Sequence, residues 1–348
     1  MRIVQVSPRY PPATGGIERH VRAVSERLAA RGHDVAVVTR GDGWRTRREV
    51  IDGVTVVRVP GLAPGNAYHF APTVATALRG RDPDVVHAHG YHSLPLLFAG
   101  LGTPRNAPLV ATPHYLGHAT GVRGVLHSAY RPFGRFSLRR ARTVVAVSDW
   151  ERTRLREELG IDAIVVPNGV DVDSFAGATP HRSASPYLLS AGRLVESKGV
   201  QHAIAALDRL PEYELTITGT GPYEPELRRT AREAGVDDRV EFLGYVSEER
   251  LRRLYAGAEV HVTLSEFECY GLTVGESLAA GTPAVVYDRT ALSDWTRFRG
   301  CLGVDDRAPD SVADAIRAVR GREPDPTALV DWDRVVDRLV DEAYPSVA

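Results

Sequence analysis

The sequence has few cysteines and no long apolar run, and these shortages exclude several classes of protein. Its two cysteines, Cys269 and Cys301, are too few for a disulfide framework and lack metal-ligand spacing. No stretch approaches the roughly 20 apolar residues of a membrane-spanning helix. The opening residues MRIVQVSP show neither the separate charged region nor the cleavage site of a secretory leader. We therefore expect a globular protein of a reducing compartment, the cytoplasm.

Lysine is also nearly absent, and charge is divided unevenly along the chain. The only lysine, Lys198, stands among 42 arginines, which hints that a compact cation is needed at that position. Residues 1–170 carry a net charge of +10, whereas residues 171–348 carry a net charge of −11. The two halves are therefore expected to bind different partners.

Short β-branched runs alternate with helical patterns in two series. The runs lie at 2–7, 34–40, 55–60, 84–89, 109–114 and 142–148, and then at 187–193, 214–221, 239–246, 259–265 and 282–288. Such alternation predicts parallel sheets covered on both faces by helices. A polar stretch separates the two series, so we predict two α/β domains, residues 1–167 and 168–329, followed by a helix within 330–348.

The loop after the first run carries two glycines. Ligands of open parallel sheets bind at the carboxyl ends of the strands. Gly15 and Gly16 stand directly before a predicted helix, where backbone N–H groups can approach an anion closely. The alternative is a flexible turn that only starts the helix. The absence of G-x-G-x-x-G from this loop argues against a nicotinamide enzyme.

A second loop, AGRLVESKG, carries two cations. Arg193 stands at the end of a predicted strand, and Lys198 follows five residues later. Arginine can bind two oxygens of a diphosphate, and lysine adds a point charge. These residues therefore suit a diphosphate, the alternative being a solvated basic loop.

Two glutamates flank a glycine-bearing turn in SEFECYGLTVGESLAAGTPAVV. Glu268 and Glu276 lie on either side of Tyr270, Gly271 and Leu272. The turn can present backbone N–H groups to phosphate oxygens, and carboxylates accept hydrogen bonds from sugar hydroxyls. Alternatively, Glu276 only stabilises the first turn of a helix.

Eight segments spread over nearly the whole chain carry a resemblance. They are PPATGGIERHV, DVVHAHG, TPH, VPNGVDVDSF, AGRLVESKG, GTGP, VEFLGYVS and SEFECYGLTVGESLAAGTPAVV. In this order they resemble the GT4 family of retaining, nucleotide-sugar-dependent glycosyltransferases. The resemblance implies the GT-B fold, with two facing Rossmann-like domains, parallel sheets and an interdomain cleft. It also implies that the N-terminal domain binds the acceptor, the C-terminal domain binds the nucleotide sugar, and the last helix packs back on the first domain.

The resemblance also implies roles for single residues. The glutamate pair is similar to the family's E-x7-E motif, so Glu268 would contact hydroxyls of the donor sugar and Glu276 the ribose. Arg193 and Lys198 would hold the diphosphate, and His114 would lie over the donor sugar. We take His114, Glu268, Arg193 and Lys198 as the catalytic candidates. The expected donor-binding residues besides Glu276 are Gly15, Gly16, Tyr245 near the base, Tyr270, Gly271 and Leu272.

No cofactor is expected besides the donor itself, a UDP-, GDP- or ADP-sugar for example. Cations and N–H donors can stabilise the leaving diphosphate without a metal. Asp171 and Asp173 form a D-x-D triplet of the kind that binds a divalent ion in another glycosyltransferase fold. Its position at the domain boundary argues against that role, so we expect metal-independent transfer.

Two other activities remain open for a chain of this fold. A sugar-nucleotide epimerase or hydrolase would release nucleotide without any acceptor. A non-catalytic sugar-nucleotide binding protein would tolerate loss of the sugar-contacting residues. A pyridoxal-phosphate phosphorylase is a poor match, because it needs a Schiff-base lysine and Lys198 lies in the diphosphate segment.

The acceptor, whether a glycan, a lipid-linked sugar or a small molecule, is the least determined partner. His87, His89 and His92 are candidates for acceptor contacts, although histidines at strand ends are as often structural. Nucleic acid is not an expected partner, because no recognition motif accompanies the basic half.

Residues 123–142 interleave arginines with apolar side chains. This composition would suit anionic lipid headgroups and a place at the inner face of the cell membrane. The alternative is an internal helix with solvated arginines. Pro132 and Gly134 are expected to interrupt any long amphipathic helix in this segment.

Overall fold

The computed structural model describes residues 1–63, 69–117 and 121–344, without the side chains of residues 121–123, 125 and 126. The chain divides into two compact units, one formed by Met1–Gly169 with Trp332–Ala348 and the other by Val170–Asp331. Both dividing points lie two residues beyond the predicted ones, 167/168 and 329/330.

The first unit is built around one sheet of eight strands. They are β1 (Arg2–Ser7), β2 (Asp34–Gly41), β3 (Arg47–Ile51), β4 (Val54–Pro60), β5 (Val85–His89), β6 (Leu109–Thr112), β7 (Thr143–Ala146) and β8 (Ile164–Val165). The order across the sheet is β3-β4-β2-β1-β5-β6-β7-β8. Its central strands are buried on both faces, which explains their nearly continuous Val, Ile and Ala composition.

Helices of the first unit follow the strands in the order predicted for a parallel sheet. They are α1 (Gly16–Ala30), α2 (Thr73–Arg79), α3 (Leu94–Gly102), α4 (Gly121–Arg140) and α5 (Asp149–Arg154), the last continued by a π-helical turn at Leu155–Leu159. In α1, Val21, Val24 and Leu28 form the fully buried face, and the chain turns at Gly32 with φ 84°. Left-handed backbone there favours glycine after the helix end.

The second unit has a six-stranded sheet in which every recorded pair is parallel. Its strands are β9 (Tyr187–Ala191), β10 (Glu214–Thr218), β11 (Val240–Gly244), β12 (Val260–Thr263), β13 (Ala284–Tyr287) and β14 (Cys301–Val304), in the order β11-β10-β9-β12-β13-β14. Its α-helices are α6 (Val172–Ala176), α7 (Val200–Ala206), α8 (Glu224–Glu233), α9 (Glu248–Gly257), α10 (Leu272–Ala279) and α11 (Pro309–Val319). Short 3₁₀ turns lie at Glu196–Lys198, Leu207–Arg209, Asp237–Arg239, Thr290–Trp295 and Pro326–Ala328. Each of the eleven predicted runs contains a strand, which confirms that part of the prediction.

The last helix, α12 (Trp332–Arg338), belongs to the first unit and is continued by a π-helical turn at Leu339–Ala343. It packs on α1, and Trp332 is only 2% exposed. The Arg31 guanidinium at the end of α1 forms ion pairs with Asp333 at 3.1 Å and Asp337 at 2.6 Å. The apolar stripe of the C-terminal segment is thus buried within the first unit.

One edge strand of the first sheet departs from the predicted parallel arrangement. β3 runs antiparallel to β4, with Val50 opposite Thr55 and Ile51 opposite Val54. Asp52 and Gly53, with φ of 50° and 80°, make the intervening turn. An Asp-Gly pair between two extended runs is a strong hairpin signal that the search for parallel strands overlooked.

The expectation that Pro132 and Gly134 interrupt the basic segment is wrong, because α4 is continuous through both. A Cβ at position 134 would lie 2.6 Å from the Tyr91 ring, so the glycine allows close packing against the rest of the unit. The cost of proline in the helix is offset by that packing, in which Tyr130 contacts Tyr91 and Leu138 is buried. Among the described residues, no helix is long and apolar enough to cross a membrane.

Candidate functional site

Each sheet has one place where the order of the strands reverses, between β1 and β5 and between β9 and β12. The loops that leave neighbouring strands at such a point diverge to opposite faces of the sheet, so a crevice opens at the carboxyl ends. Most of the residues selected from the sequence lie in these loops.

In the second unit, the loop after β9 holds Arg193 and Lys198. Arg193 is exposed, and Lys198 is the last residue of the turn Glu196–Lys198. Gly199 follows with φ 70°, and a Cβ there would collide with the carbonyl oxygen of Leu264. Only glycine therefore fits where this loop approaches the loop after β12.

The Lys198 ammonium forms an ion pair with the Glu268 carboxylate. Lys198 and Glu268 have side chains that are 27% and 18% exposed, so both remain accessible to a ligand. A hydrogen bond of 2.8 Å from the backbone N–H of Glu266 to the Ser197 carbonyl also joins the two loops. The structure thus brings together two catalytic candidates that are 70 positions apart in the sequence.

The turn between the two glutamates is fixed by a tryptophan. The indole N–H of Trp295 donates a 2.5 Å hydrogen bond to the Tyr270 carbonyl, and the two rings pack edge to face at 5.1 Å. Gly271 has φ 91°, and a Cβ there would lie 2.8 Å from Leu292. Helix α10 begins at the next residue, so the N–H groups of Leu272 and Thr273 at its start lie beside this turn.

Glu276 is 3% exposed and lies in the second turn of α10. The first turn of that helix contains no acidic residue. The alternative in which Glu276 stabilises the first turn of a helix is therefore wrong, because the helix starts at Leu272 and Glu276 lies beyond its first turn. Tyr245 is 68% exposed and follows β11, two strands from β9.

In the first unit, Gly15 and Gly16 lead into α1 from the loop after β1. Gly15 has extended backbone, and a Cβ there would meet the Glu18 carboxylate. Glu18 is 5% exposed and forms a 2.5 Å ion pair with Arg9. This pair links the start of the helix to the loop, a contact that the sequence search did not find.

His114 follows β6 with φ 48° and is 8% exposed. Left-handed backbone at a non-glycine residue is uncommon and is concentrated at functional positions. The ring of His114 lies 5.2 Å from that of His20 and 5.8 Å from that of His89, measured between centroids. Burial, together with the neighbouring histidines, lowers the pKa of His114 well below its usual range, so the ring is neutral at pH 7.

The candidate acceptor histidines divide into two kinds. His87 is fully buried, with hydrogen bonds to the Tyr344 hydroxyl at 2.8 Å and the Thr112 hydroxyl at 2.7 Å. An acceptor contact for His87 is wrong, since both ring nitrogens are already bonded inside the unit. His89 is equally buried, and an acceptor contact for it remains a prediction. His92 is half-buried and stacks on His127 with a centroid distance of 4.3 Å.

Glu151, which was not selected from the sequence, holds the loop that carries His114. Its two carboxylate oxygens accept hydrogen bonds from the backbone N–H groups of Tyr115 at 2.5 Å and Val147 at 2.7 Å. Burial raises the pKa of Glu151 to about 7, and these two hydrogen bonds oppose the shift. Sequence reasoning could not find it, because its partners become neighbours only when β6 and β7 pair.

Two family models together cover most of the chain. The one described as "Glycosyltransferase Family 4" matches residues 14–174, and the one described as "Glycosyl transferases group 1" matches residues 171–327. With the two sheets, these matches define a glycosyltransferase of GT-B type. The chain belongs to glycosyltransferase family 4 and is a nucleotide-sugar-dependent transferase, so the epimerase alternative is not favoured.

Individual relatives agree with this assignment. A glycogen synthase of Mycobacterium tuberculosis is 33% identical over 94% of this chain and 87% of its own length. A phosphatidyl-myo-inositol mannosyltransferase of Mycolicibacterium smegmatis is 31% identical over 84% of this chain and 77% of its own. The Anabaena protein HepE, solved with UDP and glucose, has a TM-score of 0.78 at 16% identity and covers 98% of both chains, which supports the fold.

Proposed function

We propose that this enzyme transfers a sugar, with retention and without a metal ion, from a nucleoside diphosphate bound by the second unit to an acceptor bound by the first. The observation that carries the proposal is the ion pair of Lys198 with Glu268 beside the N-terminus of α10, at the β9/β12 switch point. Cations, N–H donors and a carboxylate acceptor at one sheet edge are the groups a nucleotide sugar needs.

The leaving group sets the chemical requirement. When the bond between the anomeric carbon and the diphosphate oxygen breaks, negative charge develops on the diphosphate. Arg193 and Lys198 supply positive charge, and the first N–H groups of α10 supply hydrogen bonds and the positive end of the helix dipole. Retention follows if the leaving phosphate takes the proton of the attacking acceptor hydroxyl on the same face of the sugar.

Glu268 would then exchange its ammonium partner for sugar hydroxyls. In the ion pair the carboxylate already lies next to the cation that would bind the diphosphate. A sugar joined to that diphosphate would therefore bring its hydroxyls within reach of Glu268. The ribose role of Glu276 and the base contact of Tyr245 remain predictions from the resemblance, as do the donor roles of His114, Gly15 and Gly16.

Metal independence has its own support. Asp171 stands at the N-cap of α6 and Asp173 in its first turn, where acidic residues stabilise a helix. Their presence is explained without an ion. The proposal therefore assigns diphosphate binding to Arg193 and Lys198 alone among the charged side chains.

A calorimetric titration with UDP, GDP and ADP in excess EDTA tests the nucleotide site. Arg193→Gln should weaken binding of the preferred diphosphate about 10- to 100-fold, the value of a charge-assisted hydrogen bond. Arg229→Gln is the matched control, because Arg229 is exposed on α8 in the same unit and should leave binding unchanged. Equal affinity of both variants would contradict the proposed site.

The acceptor is proposed to be a glycan or a lipid-linked sugar, in keeping with the names of the relatives. Two aromatic residues of α4, Phe133 and Phe136, are 57% and 48% exposed, and Arg131 and Arg139 on either side of them are exposed as well. Replacing both with serine should reduce co-sedimentation with vesicles containing anionic lipid. Unchanged co-sedimentation would exclude this helix as the membrane contact.

A further inference from the structure

We propose that His20, His89 and His114 form a binding site for a transition-metal ion of the zinc type inside the first unit. The three side chains come from α1, the end of β5 and the loop after β6. Each offers one ring nitrogen, and these three nitrogens all lie within 4.8 Å of one another. The site shares no residue with the D-x-D triplet or with the diphosphate loops.

In His20 and His89, a hydrogen bond to one ring nitrogen determines that the other nitrogen is available to bind a metal ion. Nδ1 of His20 lies 2.7 Å from the amide oxygen of Asn168, and Nε2 of His89 lies 2.8 Å from the amide oxygen of Gln5. An amide oxygen only accepts, so each of these nitrogens carries the proton. In the neutral ring the other nitrogen, Nε2 of His20 and Nδ1 of His89, therefore presents a lone pair.

Those lone pairs meet no hydrogen-bond donor. Within the described part of the chain, Nε2 of His20, Nδ1 of His89 and Nε2 of His114 are buried and lack a hydrogen-bond partner. Buried ring nitrogens without partners are rare in folded proteins, and three histidines whose nitrogens lie this close together call for a common ligand. A cation that accepts three lone pairs satisfies all of them at once.

The chemistry of the donors selects the kind of ion. Imidazole nitrogens suit Zn²⁺ and its neighbours, whereas Mg²⁺ and Ca²⁺ prefer oxygen ligands. Three protein ligands at about 2.0–2.1 Å, with an open fourth position, is a common zinc arrangement. The amide oxygens of Asn168 and Gln5 act as the outer partners that orient such ligands.

The direct test is a calorimetric titration of untagged, metal-stripped full-length protein with ZnCl₂, and in parallel with MgCl₂. We expect one Zn²⁺ per chain and no measurable Mg²⁺ binding at this site. His20→Asn and His89→Asn should each weaken Zn²⁺ binding at least about tenfold, and Asn168→Ala roughly 10- to 100-fold through ring orientation. His92→Asn is the control, because His92 belongs to a different histidine pair in the same unit.

A visible absorption spectrum of the wild-type protein gives a second test that does not depend on whether the variants fold. Co²⁺ added to the wild-type chain should give the visible absorption of a four-coordinate site, and Zn²⁺ should displace it. Absence of saturable Zn²⁺ binding in the wild type would overturn the proposal. So would Zn²⁺ binding that His20→Asn and His89→Asn leave unchanged, provided that both variants keep the wild-type circular dichroism spectrum.

Discussion

Replacement of Gly271 by alanine tests whether the turn before α10 builds the nucleotide site. Gly271 has φ 91°, a left-handed conformation that costs a residue with a Cβ about 1–2 kcal/mol. The new Cβ would also lie 2.8 Å from Leu292 and 3.2 Å from the Trp295 indole nitrogen. Overpacking of this kind typically costs about 1–3 kcal/mol. We therefore expect Gly271→Ala to lower the free energy of unfolding by about 2–5 kcal/mol.

A matched control separates the two contributions. Gly281 follows the other end of α10 with φ 81°, and a Cβ there would meet nothing within 4 Å. Gly281→Ala should therefore lower the free energy of unfolding only by the cost of the left-handed backbone, about 1–2 kcal/mol. Urea titration of the full-length protein measures both free energies, and calorimetry measures the affinity for the preferred nucleoside diphosphate.

The two variants should differ in function as well as in stability. Because the Trp295 indole holds the Tyr270 carbonyl, moving it would misalign the first N–H groups of α10. Gly271→Ala should weaken nucleotide binding about tenfold or more, the value of one or two lost hydrogen bonds, whereas Gly281→Ala should not. Equal stability losses, or an unchanged nucleotide affinity in Gly271→Ala, would refute this reasoning.

Three other predictions follow from the same contacts. Glu276→Ala should weaken nucleotide binding, whereas Glu268→Ala should lower the transfer rate more than nucleotide affinity; calorimetry and kinetics that show no such difference would remove these assignments. Burial lowers the pKa of His20 to about 4, so its contribution to stability is present above pH 6.5 and lost as pH falls towards 4. Urea titrations at pH 7 and 4.5 should show a fall about 2 kcal/mol smaller in His20→Asn than in wild type, and equal falls would contradict this. If His114 contacts the donor sugar, Zn²⁺ bound to it should inhibit transfer reversibly, and undiminished transfer at saturating Zn²⁺ would contradict that proposed donor role.

Local patterns in the sequence were enough to predict eleven of the fourteen strands that the structure describes, all but β3, β8 and β14. The strands are short and β-branched, and each of the eleven runs contains one. The edge strand β3 was not predicted, because its exposed Arg47 and Arg48 do not fit the apolar pattern of a buried parallel strand. The continuity of α4 was not predicted either. It depends on the packing of Gly134 against Tyr91, which lies 43 positions earlier in the sequence.

The candidate site was only partly predictable, because contacts between residues distant in sequence do not appear in local patterns. Arg193, Lys198 and Glu268 lie in the loops that follow β9 and β12, so rules about loops at strand ends select them. The hydrogen bonds that hold the site loops in place come from residues that are distant in sequence. Examples are the bond from Trp295 to the Tyr270 carbonyl and the bond from the Tyr115 N–H to Glu151.

The histidine cluster is the clearest case of this limit. His20 stands on α1, whereas its partner Asn168 lies 148 positions later. No spacing within one segment could indicate that His20, His89 and His114 share a point, because three separate elements bring them there.

The most direct test of the central claim is a nucleotide-release assay with UDP-, GDP- and ADP-sugars in excess EDTA, with and without a mixture of glycan and lipid-phosphate acceptors. The proposed function predicts that one donor releases its nucleotide only when acceptor is present, and that EDTA does not slow the release. Release that needs added Mn²⁺ or Mg²⁺ would contradict metal independence and favour a metal ion held by Asp171 and Asp173. Release without any acceptor would contradict transfer and favour a hydrolase or epimerase.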